Sequence, residues 1–257
     1  MVLRLRIGLE TGTGTIEACY SCRSGCRAVM LTSCAGWDAD QDEQARNAVY
    51  NRILRENGLV IFAPVELPVE LSSTRLQPNV RGGGFIFCRE ELDGEVTPDG
   101  FAAQDGLLFC QERRQDPVNR RLWGRALKSA EAFLRQVLGH EYTLYNPVII
   151  SNTLVAPPQQ WHTDYSPEHM SVAQPPYGVI FAAEDGVTLQ VWLHNAEQPE
   201  TLSIPRGSLV LFYGDLVHAG SGGANGARVH MYLATARLTS TSPTFVERCA
   251  DGKWRCE

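Results

Sequence analysis

From Tyr142 to Ala236 the chain is cut into short apolar runs, all but the last followed within three residues by Gly, Pro, Asn or Asp, and this rhythm constrains the fold more than any other feature. The runs are Tyr142–Leu154, Gln160–Tyr165, Tyr177–Ala183, Thr188–His194, Ser208–Tyr213, Leu216–Ala219 and Arg228–Ala236. Their length and spacing suit strands, and a succession of short strands must close its edges by packing two sheets face to face.

Two helical patterns precede this region. Ala45, Val49 and Ile53 recur every four residues behind Asp40, Asp42 and Glu43, and Gly58 supplies the stop. Leu59 to Val65 then reads as a buried strand. In the second pattern Asp116 caps, Pro117 opens, and Leu122, Ala126, Ala130, Phe133, Leu134 and Val137 form one stripe before Gly139. Between the helices, short runs such as Gly84–Cys88 and Leu107–Cys110 predict loops and brief strands. The expected class is α+β, mainly β: a jelly roll buttressed on one side by two or more N-terminal helices, with its core at about 142–237. Residues 37–257 are expected to form a single domain, which 257 residues in total permit. Residues 1–36, rich in Gly, Thr, Ser and Cys, read as an irregular arm or an added edge hairpin. The tail after Ser240 reads as loop and edge.

A net charge of -6 argues against a protein that holds nucleic acid by a global positive field. No segment approaches the apolar length of a signal peptide or a membrane span, so no membrane association and a soluble intracellular, cytoplasmic location are expected, with cysteines largely reduced. Cys19, Cys22, Cys26 and Cys34 crowd together nevertheless. Four thiolates can close a zinc tetrahedron, but the second pair lacks CxxC spacing, so unconnected reduced thiols are the preferred reading. Arg113, Arg114, Arg120, Arg121, Arg125 and Lys128 form a basic run that reads as a solvated helix face, with an anion grip for a phosphate-bearing substrate as the sharper alternative.

The chemistry-bearing phrase is Gln160-Trp161-His162-Thr163-Asp164-Tyr165. On a strand, residues two apart project from the same face, so His162 and Asp164 can serve one ion. An HxD pair alone is a weak signal. His218, on another predicted strand, can complete a set of two imidazoles and one carboxylate that leaves coordination positions open. Ten residues further, Arg228 opens the last good strand, where a guanidinium can pair bidentately with a carboxylate.

The order HxD, a long gap, His, then Arg resembles the 2-oxoglutarate and iron(II)-dependent oxygenase superfamily over roughly Tyr142 to Arg237. The metal phrase is similar to that of phytanoyl-CoA-hydroxylase-like members, and Asn152 resembles a co-substrate asparagine of dealkylating members. The resemblance implies a double-stranded β-helix, a distorted jelly roll, with iron(II) on His162, Asp164 and His218. It also implies 2-oxoglutarate anchored by Arg228, with Asn152 and His230 as further co-substrate contacts, His230 standing where the family often has a small hydroxyl residue. The implied activity is hydroxylation or oxidative demethylation coupled to decarboxylation of 2-oxoglutarate to succinate and CO2, with ascorbate as an auxiliary reductant. A small-molecule substrate is favoured, with a protein or nucleic acid as the alternative. Tyr165, Gln190 and Trp192 are candidate substrate contacts, the last two only if the Thr188–Gln190–Trp192 face lines the cavity. The reading from another class is a non-catalytic, cupin-like metal-binding module.

Overall fold

The computed structural model describes residues 2–9, 12–19, 30–35, 39–69, 102–104, 107–113, 117–139, 141–152, 158–170, 174–221, 225–235, 244–248 and 254–256. Two helices are present among them, α1 (Ala39–Asn57) and α2 (Pro117–Leu138). Each ends at a glycine in the left-handed region that only a residue without Cβ adopts freely. Gly58 (φ 80) donates its N–H to Leu54 at 2.8 Å, and Gly139 (φ 70) donates to Arg135 at 2.8 Å.

The strands before the second helix are β1 (Val2–Leu9), β2 (Gly12–Cys19), β3 (Met30–Ala35), β4 (Leu59–Phe62), β5 (Ala102–Gln104) and β6 (Leu107–Arg113). After it come β7 (Thr143–Asn152), β8 (His162–Thr163), β9 (Tyr177–Ala182), β10 (Val187–Val191), β11 (Glu200–Ile204) and β12 (Leu209–Tyr213). The last four are β13 (His218–Gly220), β14 (Asn225–Ala234), β15 (Thr244–Arg248) and β16 (Trp254–Cys256). One sheet runs β1-β2-β3-β4-β12-β9-β14-β7-β6-β5 and the other β11-β10-β13-β8-β15-β16. Pairing is antiparallel apart from β3 with β4. From β7 to β15 the chain passes back and forth between the two sheets, pausing only for the β10–β11 hairpin. That winding makes a jelly roll.

Strands β9 and β12 at the centre of the larger sheet are buried on both faces, which is why they read as nearly unbroken apolar runs. On its outer face Val60, Phe62, Val179, Phe181, Leu211 and Met231 share one core with Tyr50, Leu54, Ala130 and Leu134 of the helices. Phe62 joins the layers, meeting Tyr50 edge-on at 4.9 Å and Phe133 at 5.0 Å. On the inner face Ile61, Ile180, Val210 and Phe212 pack against Val187, Leu189, Val191 and Leu193 of the smaller sheet.

Several boundaries differ from expectation for local reasons. The run from Leu59 to Val65 stops at Phe62, because Pro64 opens a short 3-10 turn to Glu66 and cannot donate to a ladder. The run from Gln160 to Tyr165 keeps only a two-residue strand. β11 escaped notice because just Leu202 and Ile204 of its five residues turn inward. The tail after Ser240 contains β15 and β16, and β15 pairs with β8 beside the HxD phrase. The first 36 residues contribute β1, β2 and β3. The expected strand Gly84–Cys88 lies outside the described residues. Removing the Phe62 ring leaves a cavity between helices and sheet. Phe62→Ala is expected to cost about 3–5 kcal/mol of stability, read as a lower urea midpoint at unchanged slope.

Candidate metal centre

The ladder between β8 and β13 sets His162 directly opposite His218. Directly paired residues on antiparallel strands project to the same face, and the two imidazoles lie 4.4 Å apart between ring centres. Asp164, two residues beyond His162, brings its carboxylate to the same point. One donor atom from each of the three lies within 4.8 Å of the others, and all three residues are buried. Each histidine is pinned identically from behind: His162 Nδ1 donates to the Gln160 carbonyl at 2.8 Å and His218 Nδ1 to the Leu216 carbonyl at 2.9 Å. A carbonyl can only accept, so the proton sits on Nδ1 and Nε2 carries the lone pair, the tautomer that ligates a metal through Nε2.

Burial keeps both rings neutral. It lowers the pKa of His162 despite Asp164 nearby, and pushes His218 down to about 3 with His162 adding to the effect. Burial by itself would raise the Asp164 carboxyl, yet the surrounding His230, His218 and His162 hold it down to about 2. Since His162 and His218 are neutral near pH 7, their charges contribute little there. The direct partner of Asp164 is then His230, whose Nε2 donates to Oδ2 at 3.1 Å.

Arg228 and His230 lie two apart on β14, and the intervening Val229 belongs to the helix-side core. The pair therefore faces the space between the sheets, with Arg228 beside Ala182 and His230 beside Ile180 of β9. Arg228 is 2% exposed, burial pushes its guanidinium down to about 10, and its Nη1 has no hydrogen-bond partner. A buried cation with an unmet donor is costly unless an anion meets it. The donor set, two neutral imidazoles and a carboxylate, suits a divalent transition metal with open positions, and the arginine suits a carboxylate ligand beside it.

Two glycines make this room. A Cβ at Gly178 would collide with the Asp164 carboxylate and the Phe212 ring. One at Gly220 would sit 2.8 Å from Arg228 Nη2. Neither was picked out from the sequence, because a glycine within a strand signals close approach without saying to what.

Other candidates lie elsewhere. Tyr165 is fully buried, its hydroxyl against that of Tyr145 and its ring edge-on to Tyr232 at 6.0 Å. Gln190 pairs with Ala219, one step out of phase with the Val191–His218 pair, and so points away from the histidines. Trp192 shares that phase, meets Trp161 at 6.5 Å and donates Nε1 to the Ala196 carbonyl at 3.0 Å. The face carrying Gln190 and Trp192 is thus the outer one, because Leu189 and Val191 fill the interior. For Asn152 the backbone alone is described; it pairs with Asn225, two residues along β7 from the partner of Arg228. Cys19 and Cys34 lie on β2 and β3 as backbone positions, and Cys22 and Cys26 fall outside the described residues. In the basic run only the side chain of Lys128 is described, and it is exposed.

Gly178→Val is expected to displace Asp164 and weaken divalent-metal affinity at least tenfold, measurable by titration calorimetry with Co(II). A second expectation concerns pH. An unfolded histidine takes up a proton near 6.5 while folded His218 resists until about 3, so the metal-free protein loses stability as pH falls through that window. Glu66, raised to about 7 by burial, works in the opposite sense, so the informative quantity is a difference. His218→Gln should show a shallower loss of melting temperature between pH 6.5 and pH 4 than wild type.

No protein-family model matches the sequence, and no curated protein matches it significantly. Solved structures do match. AviO1 from Streptomyces viridochromogenes Tue57 aligns with TM-score 0.52 at 14% identity, over 76% of this chain and 98% of its own. SnoN, a non-heme alpha-ketoglutarate-dependent epimerase from nogalamycin biosynthesis, aligns with TM-score 0.52 at 11% identity, over 79% and 84%. A prolyl hydroxylase from Trichoplax adhaerens, solved with a hypoxia inducible factor peptide fragment, aligns with TM-score 0.52 at 12% identity, over 76% and 90%. The chain therefore shares the fold of the solved alpha-ketoglutarate-dependent epimerase and of the prolyl hydroxylase, and its buried His–Asp–His cluster lies within that fold.

Proposed function

We propose that the protein is an iron(II)- and 2-oxoglutarate-dependent oxygenase that hydroxylates, or oxidatively demethylates, a substrate while converting 2-oxoglutarate to succinate and CO2. The observation that carries this reading is the buried Arg228 guanidinium, its Nη1 unpartnered, facing the same space between the sheets as the His162–Asp164–His218 cluster. Two histidines and a carboxylate would also serve zinc. The buried cation beside the donors favours iron with a chelating dicarboxylate, whose far carboxylate can pair with it. SnoN, solved with Fe3+ and alpha-ketoglutarate, supports the same choice at TM-score 0.50.

His162, Asp164 and His218 would hold iron, which when bound supplies the activation of dioxygen. Arg228 would clamp the distal carboxylate of 2-oxoglutarate, and recovering the cost of its burial would contribute to co-substrate affinity. The Nδ1 hydrogen bonds of His162 and His218 keep both rings aimed without further rearrangement. Phe212, Ile180 and Ala182 exclude water from the inner side of the site. Asn152 is retained as a co-substrate contact and Tyr165 as a packing element behind Asp164.

A small molecule is the favoured substrate: SnoN was solved with nogalamycin RO, whereas the prolyl hydroxylase carries a peptide. Residues 37–257 are taken as one oxygenase domain with 1–36 as an addition to it, and α1 and α2 as the N-terminal buttress of a double-stranded β-helix. Among the described residues no helix is long and apolar enough to cross a membrane.

With Fe(II), ascorbate and 2-oxoglutarate, purified protein is expected to form succinate slowly even without its prime substrate. Asp164→Ala should abolish turnover, and Arg228→Ala should weaken 2-oxoglutarate binding roughly 100-fold while sparing metal binding. Absence of iron-dependent 2-oxoglutarate binding by the unaltered protein would sink the proposal and leave a cupin-like binding module in its place.

A further inference from the structure

Three of the six histidines meet at the centre, and the third is not part of the cluster of donor atoms. His230 comes from the larger sheet, opposite the strands that carry His162 and His218. Its Nε2 donates to Asp164 Oδ2 at 3.1 Å, and the other oxygen, Oδ1, lies 3.8 Å from His218 Nε2. The two carboxylate oxygens are thereby sorted, one toward the larger sheet and one toward the histidine pair.

The ring that does the sorting is itself held. Phe212 lies nearly parallel to it, 6.3 Å away at 7°, and Tyr232 meets it at 4.9 Å and 61°. Asp164 in turn has little room to swing, because Phe212 and the Gly178 backbone close the space behind its Oδ2. Among the described residues His230 is the side chain that donates to Asp164.

We propose that His230 is a positioning residue that fixes Asp164 as a one-oxygen ligand, holding Oδ2 away from the metal and presenting Oδ1. The inference rests on the metal-centre reading given above. Its consequence is geometric. A carboxylate bound through both oxygens occupies one more coordination position, so restraining it preserves room for a chelating co-substrate and for dioxygen on the same ion.

The test uses Co(II) as the probe, with calorimetry and the visible absorption of the bound ion as readouts that need no turnover. His230→Gln keeps an N–H of similar reach and is expected to bind Co(II) within about threefold of wild type, with the same spectrum. His230→Asn keeps the amide but falls short by one methylene. It is expected to bind roughly 10–100-fold more weakly, or with an absorption band displaced by the altered coordination. Wild-type affinity and spectrum in both His230→Asn and His230→Leu would overturn the role of His230 while leaving the metal centre standing. Failure of the wild-type protein to bind Co(II) would instead overturn the metal-centre reading, and this inference with it. Should His230→Leu not fold, the Gln and Asn pair decides alone, since the two differ only in reach.

Discussion

The site depends first on a very short ladder, the antiparallel pairing of β13 with β8. Because that ladder puts His218 opposite His162, a slip of one residue in either strand would turn that strand's ring to the outer face and part the two donors. Two residues of strand cannot hold register unaided. β10 fixes β13 from one side through Val191 and His218, and β15 fixes β8 from the other through Phe245 and His162. The apolar alternation of β10, whose Leu189 and Val191 must lie inside, thereby orients the histidines as well.

Burial is the second constraint. His162, Asp164, His218 and Arg228 sit in an interior that disfavours charge, and each responds differently. The two histidines remain neutral, which is the form that binds metal, so no proton need leave them near pH 7. Asp164 stays ionised with the help of the hydrogen bond from His230. Arg228 has no such relief for Nη1 and carries an uncompensated cost. A ligand that supplies a cation to the three donors and an anion to the arginine would stabilise the folded state by mass action.

The helices matter to this chemistry by making the larger sheet a rigid wall. With α1 and α2 covering the outer face, β9, β12 and β14 are packed on both sides, and the inner row of Gly178, Phe212 and His230 has a firm backing. That firmness lets a hydrogen bond from one sheet orient a carboxylate on the other.

Much of this was legible in the residues. The helix-ending glycines, the strand rhythm after Gly139 and the HxD phrase each depend on local chemistry, and the order of His162, Asp164, His218 and Arg228 pointed to one centre. Three things were not legible. The alternation of Thr188 to Leu193 has two equivalent phases, and only its partners β11 and β13 choose between them. Gly178 and Gly220 look like any strand glycine until Asp164 and Arg228 are brought against them. His230 read as a co-substrate contact, whereas its ring hydrogen-bonds Asp164, 66 residues away in sequence. The sequence by itself determined which side chains can bind a metal and a carboxylate, because that is a property of their chemistry and short-range spacing. Tertiary structure alone decided which faces meet and what each buried polar atom touches, because those contacts join strands from different sheets that are far apart along the chain.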